Sequence, residues 1–381
     1  MNIYKKKIFD KFDCDLWTYL SKAQKPILIY GMGNGADKII AVFEKYGIEY
    51  KDVFASDGFV RGHLYKGKRV ISYSEAIEKY GNDIIIVLSF GSSLPDVMQR
   101  MYDLNEKHEF YSPDVPVCGG ELFNEDFFDK NEAALLKARE LLCDTRSKEI
   151  FDDIIRYKLS GRLEYLKSTE CNEQNTFELL NLQNYRSYLD LGAYNGDTVR
   201  KFLNACTNLK SIYAFEPDTR NFKKLSLYAK TETRADVKTF NFASWSKDEI
   251  LEFSSSGNRN SSNSATASHK TKLISIEAKR PDSIIDDVDF IKYDVEGSEY
   301  QAILGSEKII ARSSPDMLIS MYHKSEDMYE LPLLINSLNP KYKLFLRRLP
   351  YIPAWDLNLY AIKKTCQNER IQKTNSQATA R

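Results

Sequence analysis

The sharpest chemical signal in this 381-residue chain is YLDLGAYNGDTVRKF at 188–202, an apolar strand that ends in an acid, a glycine turn, and a helix opening on a second acid. Glycines at 192 and 196 permit tight turns and let a ligand approach the backbone closely. The turn would present Asp190, Gly192, Ala193, Asn195, Gly196 and Thr198 to a nucleoside cofactor. A G-x-G-x-x-G pyrophosphate turn starting at Gly192 would need glycine at 194 and 197, where Tyr194 and Asp197 stand. An acid at a helix mouth repels a pyrophosphate that the helix N-terminus should attract. The sulfonium and ammonium of S-adenosyl-L-methionine fit such an acidic turn better than NAD does.

The following residues agree with that reading. FEPD places Glu216 at the end of the next strand, roughly 20 to 25 residues beyond the turn, where an acid can accept both hydroxyls of a ribose. In NFASW (241–245), Ala243 and Ser244 would flank an adenine ring. KYDVEGSE (292–299) brings Asp294 to the carboxyl end of a fourth strand, near cofactor and acceptor alike, and YHKSED brings His323 to the end of a fifth. Methyl transfer to oxygen needs a base for the acceptor hydroxyl, and Asp294 and His323 are the two catalytic candidates. An unperturbed histidine titrates near neutral pH and can take that proton. Glu296 and Glu299 read as helix-capping or lysine-pairing acids, and Asp294, Glu296 and His323 form too thin a donor set to predict a metal.

These motifs resemble the FkbM family of methyltransferases. The resemblance is carried by DLGAYNGDT, by FEPD with Asn221 behind it, by IKYDVEGSEYQAILG (291–305) and by SMYHKSEDMYELP (320–332), and covers about residues 187–363. It implies a class I methyltransferase fold, S-adenosylmethionine as cofactor and O-methylation, often of sugars or polyketide-type products. Two features depart from the pattern: Tyr194 stands where many methyltransferases have glycine, and SSSGNRNSSNSATASHKTK (254–272) interrupts the domain between its third and fourth strands.

The elements that must position these residues are strands alternating with helices, which predicts an α/β protein with two doubly wound Rossmann-like domains. Strand signals recur at 187–192, 211–216, 237–243, 289–295 and 316–322. KYKLFLRR and LNLYAIKK then follow without a convincing helix between them, so a mostly parallel sheet with an antiparallel edge hairpin is expected. Upstream, PILIY (26–30) leads into GMGNGA and an amphipathic helix, and DIIIVLSF (83–90) reads as a central strand. The boundaries expected are 1–125 for an N-terminal Rossmann-like domain, 126–180 for a helical linker, 181–364 for the methyltransferase domain and 365–381 for a disordered tail. The serine-rich 254–272 segment reads as a mobile insertion.

The N-terminal turn matches G-x-G-x-x-A through Gly31, Gly33 and Ala36, with Asp57 near the end of the next strand. This leaves an NAD-dependent oxidoreductase, a nucleotide-sugar-binding module and a nonenzymatic scaffold as alternatives. Arg61, His63, Lys66, Lys68 and Arg69 could grip a phosphate or form a solvated basic loop. Lysine plus arginine and aspartate plus glutamate both total 54, so no net field draws the chain to nucleic acid. Six scattered cysteines read as free buried thiols, and no leader or membrane-length apolar stretch stands out. A cytoplasmic enzyme acting on a small-molecule or glycan acceptor is expected, with homo-oligomerisation left open.

Overall fold

The computed structural model describes residues 3–60, 62, 64–116, 118–255 and 272–363. Two parallel sheets form its frame. In the first, β1 (Ile27–Tyr30), β2 (Asp52–Ala55), β3 (Ile71–Ser72), β4 (Ile85–Leu88) and β5 (Glu109–Tyr111) are arranged 3-2-1-4-5, all parallel. The central pair, ILIY and IIVL, is buried at every position, as strands covered by helices on both faces must be. Helix α1 (Asn34–Tyr46) covers one face through Ala36, Ile39, Ile40 and Phe43, an i, i+3, i+4, i+7 stripe, and stops at Gly47 in the left-handed conformation.

The second sheet contains β6 (Ser187–Leu191), β7 (Ser211–Phe215), β8 (Asp236–Phe240), β9 (Phe290–Tyr293), β10 (Asp316–Ser320), β11 (Lys343–Arg348) and β12 (Leu357–Ile362). Their order is 3-2-1-4-5-7-6 within this set. Strand β12 runs antiparallel to both β10 and β11, which is the edge hairpin the sequence pattern predicts. The fold is thus mixed α/β with two doubly wound sheets, and their first five strands share one order.

Helices α2 (Glu125–Glu140) and α3 (Thr145–Ser160) lie between the sheets in sequence and join them in space. Ile150, Phe151, Ile154 and Ile155 of α3 are fully buried in one apolar cluster that takes in Leu28 and Ile86 of the first sheet and Leu189 and Ile291 of the second. Burial of each such side chain is worth about 1.5–3 kcal/mol. Polar contacts fix the same helix against β11: the Ser147 hydroxyl accepts from the Leu346 N–H at 2.9 Å, and Arg347 pairs with Asp144 at 2.6 Å.

The carboxyl edges of the two sheets face each other. Ser92, beyond β4, exchanges backbone hydrogen bonds of 2.8 and 3.0 Å with Ile352, in the loop between β11 and β12. Glu121, beyond β5, donates its N–H to Glu326 at 2.9 Å, and its carbonyl accepts from Ser325 Oγ at 2.7 Å, both beyond β10.

Three expectations need correction. The ends of the serine-rich segment are regular: Glu249–Ser255 and Lys272–Lys279 form an antiparallel ladder in which Ser255 faces Lys272. Their alternating EILEF and LISIE patterns supply the strand signal; residues 256–271 lie outside the described residues. The 237–243 strand ends at Phe240, and Ala243–Ser244 is a separate short strand parallel to Ala278–Lys279. The cysteines are not uniformly buried, because Cys143 is exposed and Cys14 half-buried, although the five described are free. Arg61, His63, Cys366 and the 365–381 tail also fall outside the described residues. No described helix is long and apolar enough to cross a membrane.

Candidate functional site

The second glycine turn follows directly from β6. Gly192 has φ +89°, and a Cβ there would lie 1.8 Å from the Asp294 carbonyl oxygen. Only glycine lets this turn lie against the end of β9. Gly196, at φ +84°, caps helix α4 (Asp197–Ala205), and a Cβ on it would come within 2.8 Å of the Tyr228 ring. Tyr194 adopts φ +49°, so the departure from glycine is a side chain held in left-handed backbone. Ala193 is fully buried and donates its N–H to the Phe215 carbonyl at 2.9 Å. Asn195 is half-buried, and its carbonyl accepts from Arg200 at 3.2 Å.

Glu216 sits across this turn. Its carboxylate accepts the Tyr194 N–H and the Asp218 N–H, each at 2.8 Å, while the residue is 6% exposed. Burial pushes its pKa up to about 7, against the opposing pull of those two N–H donors. Such an acid lies near the midpoint of its titration at neutral pH. Ala243 and Ser244 are both buried, and the Ser244 hydroxyl has no hydrogen-bond partner among the described residues. A buried, unsatisfied hydroxyl is costly unless a ligand completes it.

Asp190 is fully buried and accepts from Thr198 Oγ1 at 2.6 Å. Lys292 Nζ lies between it and Asp294, at 3.4 Å and 3.3 Å. Burial alone would lower the Lys292 pKa, but the two carboxylates hold it above its ordinary value. Burial would raise the Asp294 pKa, yet Lys292 and His323 bring it below the usual range, so this carboxylate stays ionised. The Tyr322 hydroxyl donates to Asp294 at 3.3 Å.

His323 is 2% exposed and surrounded by acids. Nδ1 is 2.9 Å from Glu299 Oε1, a close ion-pair contact whose angle does not make it a hydrogen bond, and Nε2 is 3.7 Å from both Asp294 and Glu296. Burial would lower its pKa, but Glu299, Asp294 and Glu296 together push it up to about 10. The histidine expected to titrate near neutrality therefore carries its proton there. Glu299, which opens helix α5 (Glu299–Leu304), accepts the Val295 N–H at 2.9 Å and pairs with the imidazolium rather than with a lysine. Asp294, Glu299 and His323 offer ligand atoms within 4.8 Å of one another and could hold a metal; with His323 protonated, the imidazolium supplies the positive charge instead.

The structure thus links Asp190, Gly192, Thr198, Asp294 and His323 in one contact network, sets Glu216 against the same turn, and places Ala243 and Ser244 beyond β8. Sequence reasoning missed Lys292, Tyr322, Cys118 and the Glu299–His323 pair. Lys292 carried a signal, because it is the lone charge in the otherwise apolar strand FIKY. Cys118 carried none: it meets Glu296 at 3.7 Å across 178 residues of sequence.

The first glycine turn is arranged differently. A Cβ on Gly31 would lie 2.5 Å from the Phe90 ring, so an aromatic side chain covers this glycine. Gly33, at φ +104°, has open space around it, and Ala36 is buried. Asp57 accepts from the Ser74 N–H and hydroxyl at 3.0 and 2.7 Å. Of the basic loop, Lys66 lies 3.7 Å from Asp37, Arg69 pairs with Glu75, and Lys68 stands over the Tyr50 ring.

Residues 190–352 match the family described as the methyltransferase FkbM domain. A crystal structure of methyltransferase FkbM from Methylobacillus flagellatus KT superimposes with TM-score 0.64 and 19% identity, covering 95% of this chain and 94% of that one. Aeropyrum pernix fibrillarin with natively bound S-adenosyl-L-methionine aligns at TM-score 0.31 and 13% identity, over 48% of this chain and 69% of that one. An rRNA methylase from Streptococcus thermophilus aligns at 0.33 and 14%, over 50% and 95%. No curated protein matches the chain significantly.

Proposed function

We propose, from the premise that residues 190–352 are a methyltransferase domain of the FkbM family, that the chain methylates a hydroxyl of a sugar, glycan precursor or similar small molecule with S-adenosylmethionine. The observation that carries the cofactor reading is Glu216, a buried acid with a raised pKa held against the glycine turn by the Tyr194 N–H. Two ribose hydroxyls donating to it would repay the cost of ionising it in place. The residues present fit the cofactor: the Gly192–Gly196 turn lies against Glu216, whose carboxylate accepts the Tyr194 N–H, and the unpartnered Ser244 hydroxyl fits an adenine edge.

When bound, the cofactor supplies an electrophilic methyl carbon on a sulfonium. The chain's own task is alignment, which can contribute roughly 7–11 kcal/mol, and removal of the hydroxyl proton, typically worth about 10²- to 10⁴-fold. Asp294 is assigned the proton, because it is ionised, partly exposed and beside the turn. His323 already holds a proton and acts as a positioning residue, keeping Asp294 and Glu296 in place by charge. Lys292 and Thr198 brace Asp190 behind the turn.

Calorimetry with S-adenosylhomocysteine, followed by an acceptor screen with labelled S-adenosylmethionine against nucleotide sugars and glycan intermediates, tests the reading. Binding weakened in Glu216→Ala, and turnover lost in Asp294→Asn, are the expected results. Absence of binding by the wild type would remove the cofactor assignment, and near-normal turnover by Asp294→Asn would remove the base.

A further inference from the structure

The facing carboxyl edges border a half-open cavity of about 200 Å³ whose wall comes mostly from the N-terminal sheet and its flanking segments but includes Pro353 and Trp355 of the methyltransferase side. We propose that this cavity anchors a non-reacting sugar ring of the acceptor, so that the N-terminal domain serves as the acceptor-recognition module. The inference rests on the methyl-transfer reading above and names the substrate class that the first domain selects.

Size comes first. Pockets for drug-sized ligands occupy about 300–1,000 Å³, so the space within this cavity is of the size that seats a single ring. The Phe90 ring over Gly31 closes the approach further.

The wall is amphipathic in the way a sugar demands, since a pyranose has an apolar C–H face and a rim of hydroxyls. Phe90 and Trp355 supply aromatic surface, and Ser89, Ser112, Asp114 and Lys38 supply polar groups. Several of these are already fixed: Ser89 donates to the Tyr30 carbonyl at 3.0 Å, and Asp114 pairs with buried Lys158 at 2.7 Å. Lys38 donates to the Pro116 carbonyl at 3.0 Å. A rim whose rotamers are set in advance loses little entropy when a ligand binds.

Position links the cavity to the chemistry. Trp355 is held over Gly91, where an added Cβ would come within 2.7 Å of its indole, and the Ser92–Ile352 backbone pair fastens this loop to the first domain. On the other side, the charge of Glu296 acts on Lys38 of the cavity wall, and Glu296 itself meets Cys118 at 3.7 Å and lies 3.7 Å from His323, which is 3.7 Å from Asp294. Asp294 is not among the residues lining the cavity, so a ring held there would be an anchor remote from the reacting hydroxyl. Remote binding of that kind supplies energy for alignment at the reacting centre.

The test titrates the full chain, saturated with S-adenosylhomocysteine, with glucose, galactose, mannose, N-acetylglucosamine and their 1-phosphates, by calorimetry. At least one should bind, and Trp355→Ala and the cavity-filling Val115→Phe should each weaken it about tenfold while leaving S-adenosylhomocysteine affinity unchanged. Failure of every sugar to bind the wild type, or wild-type sugar affinity in both variants, would overturn the proposal. The parallel S-adenosylhomocysteine titration keeps the two readings apart, because its failure removes the methyl-donor assignment whatever the sugars do. Two variants placed on opposite domains guard against local misfolding in one of them.

Discussion

The two glycine turns of this chain solve the same packing problem and differ in the acid set beside them. In both, a glycine lies against the carbonyl just beyond the fourth strand: Gly35, at the start of α1, against Ser89, and Gly192, in the turn itself, against Asp294, each leaving under 2 Å for a Cβ. Both turns feed a helix that covers a 3-2-1-4-5 parallel sheet. They differ in the acid that follows the second strand. Asp57 is spent on Ser74 near the surface, with its pKa lowered by those hydrogen bonds, whereas Glu216 is buried with its pKa raised to about 7. The glycine pattern therefore specifies a way to join strand to helix, and the two turns differ in the burial of the acid that follows, the feature on which the proposed ribose contact rests.

The largest effect that would sharpen this comparison comes from removing what the turns share. Gly192→Ala combines a backbone clash with φ +89° and should lower unfolding free energy by about 3 kcal/mol, measured by urea denaturation. Gly35→Ala faces the clash without a left-handed penalty and should cost somewhat less, about 2 kcal/mol. If either were neutral, the close approach would not be structural.

Next in size is the alkaline behaviour of His323, which has no counterpart in the first turn. Its folded pKa of about 10 lies above the ordinary 6.5, so its contribution to stability is complete below about pH 6.5 and is lost as pH rises through 10. Urea midpoints should fall between pH 7 and pH 10, and His323→Gln should flatten that fall. An unchanged slope in the variant would show that the histidine is not the group responsible.

A smaller effect separates the two acids. Glu216 takes up a proton as pH drops through about 7, and the ribose-accepting form is the ionised one, so S-adenosylhomocysteine affinity should rise between pH 6 and pH 8. Glu216→Gln should remove that dependence and Asp57→Asn should leave it intact, both read by calorimetry.

The smallest concerns Tyr194. Its contribution to the Glu216 carboxylate is a backbone N–H, so Tyr194→Gly should retain cofactor affinity and change stability by no more than about 1 kcal/mol, because it also relieves the left-handed φ. A large loss of affinity would assign the phenol ring a role that the backbone account lacks.

Much of this was legible in the residues. The alternation of apolar strands with helices, the two turns, and FEPD and KYDVEG at strand ends all use local periodicity, which is independent of the tertiary fold. The edge hairpin was readable because KYKLFLRR and LNLYAIKK leave no room for a crossover helix. The protonation of His323 was not, because it depends on Glu299, Asp294 and Glu296 converging around one ring. The meeting of Cys118 with Glu296 and the seating of Trp355 over Gly91 depend on how two sheets face each other, and no periodicity within either half encodes that. The serine-rich segment misled because its composition hid the alternating strands at its borders.

The measurement that tests the central claim most directly is calorimetric titration of S-adenosylhomocysteine into the wild type, Glu216→Gln and Asp57→Asn at pH 8. Saturable binding that falls about 100-fold in Glu216→Gln and is unchanged in Asp57→Asn is predicted, in line with loss of hydrogen bonds to a charged acceptor. No binding by the wild type, or NADH binding that depends on Asp57 instead, would contradict the account.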